Sequence, residues 1–158
     1  MAVPLFEKVV FNLDQLRKAR PEDRSVLLHL ADNRARLAEA YWDSGAQTRS
    51  DSLAALALPA LDALASSPDA SPSALELASL HFHSIRPDRF RNPAKAIAFA
   101  RRYATQAGVE PWSLFVLASG QEATGDLVGM RKSAALALPL LEAGPSDLRR
   151  NFTRMAAR

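Results

Sequence analysis

Leu37-Ala38, Leu77-Ala78 and Leu117-Ala118 stand 40 residues apart along the chain. A unit of that length cannot bury its own apolar face, and stacked helical hairpins are the architecture that repeats at such an interval. The small residue after each leucine lets two helices of a hairpin approach closely, where a bulky one would hold them apart. The same frame aligns Ala54 with Ala94 and Ala134, and Ala57 with Ile97 and Ala137, in the second helix of each pair.

Hydrophobic residues make up 48% of the 158 residues, enough for one domain spanning 1–158 with a continuous core. Alanine and leucine dominate and β-branched residues are few, which favours helix. Ten prolines would argue against long helices, but several sit where helices start. Phe6, Val9, Val10, Leu13 and Leu16 share one helical face, and that helix ends near Pro21. A second helix runs from about Glu22 to Ser44 and closes at Gly45. A polar link, 46–51, precedes a third helix that carries Leu53 to Leu64. Ser71-Pro72 and Asn92-Pro93 read as N-cap and first residue of the fourth and fifth helices. The fifth closes at Gly108, Pro111 opens the sixth, and Gly125-Asp126 is a tight turn. The seventh carries Leu127 to Leu141 and stops at Gly144-Pro145. Ser146 caps an eighth, whose apolar face is Leu148, Phe152 and Met155. Short connections favour antiparallel neighbours, so the expected fold is all-α: about eight helices in a right-handed stack of antiparallel hairpins.

The leucine and small residue are followed by Tyr41 and Gly45 in the first unit, by Gln121 and Gly125-Asp126 in the third, and by His81 without a glycine in the second. This pattern resembles the tetratricopeptide (TPR) repeat. HEAT-type repeats have a similar period and are the structural alternative. The first helix resembles the second half of such a unit ending in its proline, so the chain reads as a segment of a longer protein. The stretch RPDRFRNPAKAIAFARRYA is similar to TPR-like regions that accompany bacterial eukaryotic-type serine/threonine protein kinases. The resemblance implies a protein-interaction or regulatory scaffold, bacterial in origin, with a possible kinase domain in the parent chain. The first helices of the hairpins would line a concave, peptide-binding groove. Groove positions then fall at Glu39, Trp42, Ser79, His83, Trp112, Phe115, Ser119 and Glu122, with Phe82 at the edge. Large apolar groups rimmed by polar ones suit a peptide groove, and packing between repeats is the other use for these aromatics.

Several classes are disfavoured. There is no cysteine, hence no disulfide or thiolate chemistry. No Gly-rich phosphate loop, HExxH or GxSxG motif is present, so no catalysis and no cofactor are expected. His81 and His83 diverge on a helix and make a poor metal pair. No apolar run reaches 18 residues, and residues 1–8 lack the layout of a signal peptide, which leaves a soluble chain in a cytoplasmic or extracytoplasmic compartment. Net charge is +3 with a pI of about 9.7. Its densest cluster is Arg86, Arg89, Arg91, Lys95, Arg101 and Arg102. That cluster supports the alternative function, nucleic-acid binding through residues 86–102; its other reading is an inter-helix turn whose arginines cover helix ends. A small-ligand sensor enclosed by the stack is a third reading.

Overall fold

The structure, a computed structural model, describes residues 3–141 and 147–158. Eight α-helices account for most of them, and there is no strand among the described residues. The helices are α1 (Val3–Ala19), α2 (Arg24–Asp43), α3 (Gln47–Ser66), α4 (Pro72–Ser84), α5 (Pro93–Ala107), α6 (Pro111–Ala123), α7 (Leu127–Ala137) and α8 (Asp147–Ala156). Each packs on its neighbour in sequence, and α2, α4, α6 and α8 also touch one another in series.

The helix boundaries follow from local chemistry. The side chain of Asp23 accepts from the backbone N–H of Ser25 and Val26, Ser71 from Ala74, Asn92 from Lys95, and Asp126 from Gly129. Prolines at the starts of α4, α5 and α6 occupy positions where a missing N–H costs nothing. Gly45 and Gly125 take φ of +82° and +76°, which lets the chain reverse after α2 and α6 within three residues. The abruptness of the turn at Gly45 explains one departure from the sequence reading. Residues 46–51 are not a polar link: α3 begins at Gln47, and Ser50 is fully buried on it. Pro139 explains a second, since α7 gives way at Ala137 to a 3₁₀ turn over Leu138–Leu140. A further 3₁₀ turn at Asp88–Phe90 lengthens the α4–α5 connection. The expected stop at Gly144-Pro145 and the cap at Ser146 lie outside the described residues.

Three apolar clusters follow one another along the chain. The first joins α1 to α2 through Val10, Leu30, Leu37 and Tyr41. The central one extends from α2 to α6 and is built on Leu28, Leu58, Leu61, Leu75, Phe82, Phe99, Tyr103 and Val116. The last gathers α6, α7 and α8 around Leu114, Met130, Phe152 and Met155, with Leu138, Leu141 and Leu148 at its margin. The last helix therefore covers Met130 and its neighbours, as its apolar face requires.

Ala38, Ala78 and Ala118 are all fully buried, in the first helix of each repeat interval. Ala54, Ala57, Ala134 and Ala137 are equally buried, and Ile97 is close to it. Ala94 is the exception and is exposed. The long α4–α5 connection delays the start of α5, so Ala94 falls in its first turn instead of well inside it. Gly120 is another close approach. A β-carbon there would lie 3.1 Å from the backbone Cα of Ile97 and 3.1 Å from the Ala100 methyl.

Overpacking these seams should be costly. Ala118→Leu and Gly120→Val are each expected to lose about 1–3 kcal/mol in denaturant titration with an unchanged m-value. Phe152→Ala should lose about 3–5 kcal/mol, since its ring is fully buried beneath α6 and α7.

Candidate functional site

The row formed by α2, α4, α6 and α8 carries most of the polar groups whose burial needs a reason. Asp32 sits on the buried side of α2 with Leu30, Ala31 and Ala35. Its Oδ1 lies 2.8 Å from Nε2 of His81 on α4, and both residues are buried. One turn on, Arg36 Nε donates to both carboxylate oxygens at 3.0 Å. Burial works to raise the Asp32 carboxyl, but the hydrogen bonds from His81 and Arg36 outweigh it and hold the group below its ordinary value. Glu39, a further turn along α2, has no such compensation. Burial pushes its carboxyl up, against the attraction of His81 and Arg36. His81 Nδ1 is buried without a hydrogen-bond partner. An Asp–His pair next to a hydroxyl would be the core of a nucleophilic site, and no hydroxyl reaches this nitrogen among the described residues.

Further along the row, burial pushes the His83 imidazole down, while Glu122 on α6 pulls it up. Glu122 also meets Arg158 and lies 4.0 Å from Arg154, past the end and in the last turns of α8 respectively. At the opposite ends of α4 and α6 stands an aromatic pair. The Trp112 ring stacks on Phe115 with centroids 5.2 Å apart, and Phe115 meets Phe152 edge-on at 6.0 Å. The indole N–H of Trp112 donates to Glu76 Oε1 on α4 at 2.7 Å. Trp112 remains 39% exposed although held on both sides.

The residues expected to form a groove therefore divide. Glu39, Trp42, His83, Phe115 and Glu122 are half-buried, and Trp112 is exposed. Phe82 is buried against Phe99, centroids 6.1 Å apart. Ser79 is buried and donates to the Ala96 carbonyl at 2.9 Å, tying α4 to α5. Ser119 is buried as well, so these three present no surface to a partner. Trp42 has no ring contact with the Trp112 pair among the described residues.

The basic segment is largely committed inside the chain. Arg102 donates to the carbonyls of Ala65 and Ser67 at 2.6 and 2.8 Å, closing the C-terminal end of α3. Arg91 does the same for Ser84 and Ile85 at the end of α4. Arg89 meets Asp51 at 2.7 Å, Lys95 meets Asp62 at 2.6 Å, and Arg86 meets Asp88 at 3.6 Å. Arg101 alone points outward with no partner among the described residues.

Two open clefts flank α2, and neither is an enclosed cavity. One of about 400 Å³ is lined by Arg24, Leu28, His29, Leu64, Asp69 and Ser71. The other, of about 440 Å³, is lined by Phe6, Arg36, Glu39 and Asp43. No three His, Asp or Glu side chains among the described residues come together as a metal would need. No described helix is long and apolar enough to cross a membrane. Comparison of the chain with protein-family models, with characterised proteins and with solved structures finds no match.

Asp32, Arg36 and Glu76 were not among the expected site residues. An acidic side chain in the apolar stripe of α2 was the available signal for the first. Its partner, 49 residues away, had none. The two carboxyls on α2 give opposite pH behaviour. The folded value of Asp32 lies below its ordinary 3.8, so its stabilising effect is complete above that pH and is lost as pH falls through the lowered value. The folded value of Glu39 lies above 4.5, so stability is greater while it is neutral and declines as pH rises through the raised value. Asp32→Asn should cost about 2 kcal/mol at neutral pH, with the deficit shrinking in acid. Glu39→Gln should raise the melting temperature at neutral pH and lose that advantage below pH 4.5. Thermal melts across pH 3–8 check both signs.

Proposed function

We propose that the chain is a protein-interaction module: a TPR-like, right-handed stack of antiparallel hairpins that binds a peptide or protein segment along the row α2–α4–α6–α8. The observation that carries this reading is Trp112. A tryptophan left 39% exposed is normally free to reorient. This one is stacked on Phe115 and hydrogen-bonded to Glu76, so it offers a large apolar face whose conformational entropy is already lost. Aromatic groups held in this way dominate interaction hot spots. Phe115, Glu122, His83, Glu39 and Trp42 surround or extend the same row with half-buried, mixed-polarity surface. The serial contact of the even-numbered helices and the burial of an alanine every 40 residues support the stack. Membership of a larger bacterial protein, with a kinase domain elsewhere in it, is part of the same proposal and rests on the sequence resemblance.

Trp112→Ala should weaken a captured partner by about 2 kcal/mol or more while leaving helical content intact. The arginine variant Arg101→Ala, which removes an outward charge without breaking an internal contact, should change mainly salt dependence and association rate. The measurement is capture from bacterial lysate, followed by titration of the recovered partner against each variant. Loss of binding in the arginine variant, with normal binding by Trp112→Ala, would replace this reading with the basic-surface one.

A further inference from the structure

The net charge of the chain is localised. Residues 126–158 hold six basic side chains against three acidic ones, while 1–125 hold fourteen of each. The whole excess of +3 therefore belongs to the last hairpin. Within it, α8 turns Phe152 and Met155 to the core and Arg150, Thr153 and Arg154 outward, and Ala157, just past its end, is exposed beside them. A shallow groove runs along this outer face between Arg149, Arg150, Thr153, Arg154 and Ala157. Its wall is almost wholly hydrocarbon, made by Thr153, Ala157 and the methylene stems of the arginines. Arg150 and Arg154 keep 69% and 58% of their side-chain surface. Among the described residues Arg150 meets the exposed Asp147, and Arg154 stands 4.0 Å from Glu122.

We propose that the outer face of α8 is a second docking surface, which receives an acidic amphipathic helix of a protein partner. Thr153 and Ala157, one turn apart, form a floor low enough for a second helix to approach closely. Arg150 and Arg154, also one turn apart, repeat at the spacing that glutamates at i and i+4 present on a facing helix. The combination distinguishes protein from nucleic acid. A single strand needs exposed aromatic faces for its bases, and the nearest ring, Phe152, is fully buried beneath α8. Arg154 borders Glu122 of the proposed row, but Trp112 and Phe115 do not line this groove, so either reading can fail without the other.

The test uses a fluorescein-labelled synthetic helical peptide with an alanine–leucine stripe flanked by glutamates at i, i+4 spacing. A composition-matched scramble and a single-stranded oligonucleotide serve as alternatives, and anisotropy is read at low and raised salt with the full chain. The helical peptide should bind about tenfold more tightly than the scramble. Arg150→Gln/Arg154→Gln should weaken it about tenfold and flatten its salt dependence. Thr153→Tyr, which fills the floor without altering charge, should weaken it with the salt dependence retained. All three positions are exposed, and circular dichroism melts check that the variants fold. No binding by the helical peptide overturns the proposal. So does equal binding by the scramble, tighter binding by the oligonucleotide, or parental affinity in both variants.

Discussion

Close approach of paired helices is the constraint on which the rest depends. Ala38, Ala78 and Ala118 have no exposed surface, and Gly120 stands where even a methyl would press on the backbone of Ile97. Larger groups at these positions would separate the helices and weaken every dispersion contact between them. The proximity also explains the polar contacts. Ser79 can reach the Ala96 carbonyl, and Asp32 can reach His81, because small neighbours bring their helices together.

The arginines illustrate how a charged composition is absorbed by a fold. Helix C-termini leave carbonyls without intrahelical donors, and a guanidinium can satisfy two at once. Arg102 and Arg91 do this for α3 and α4. Lys95 and Arg89 instead meet carboxylates on α3. A run that looks like a positively charged patch in sequence is thus taken up by contacts that tie α5 and the connection before it to α3 and α4. The outer arginines of α8, Arg150 and Arg154, instead keep more than half of their side-chain surface while meeting Asp147 and, at 4.0 Å, Glu122.

Much of this architecture is legible in the chain itself. Alanine every 40 residues, proline at helix starts and glycine at reversals each act through local sterics, so eight helices and their main seams can be read directly. The departures fall at Gly45, at Ala94 and at Pro139, the last a helix stop that stands in the sequence itself. Gly45 reverses the chain faster than the polar residues after it suggest, and the delayed start of α5 carries Ala94 out of register. Both depend on the path of the chain between helices, which periodicity does not encode. The candidate site was less legible. Phe82 has the composition of a binding residue and the environment of a core one, whereas Trp112 is marked out by Glu76, a partner 36 residues away. Side-chain pairs that bridge helices leave no mark at short range.

Dividing the interior into three clusters has a consequence for motion. A single core opens as one unit, but clusters arranged along a chain couple mainly to their neighbours. The central cluster is flanked on both sides, while those of α1–α2 and α6–α8 have one flank each. Amide exchange should accordingly be graded, slowest in α3 to α5 and faster toward both ends, with the end helices opening while the middle stays closed. Deformation on contact should therefore begin at the ends and leave the centre folded.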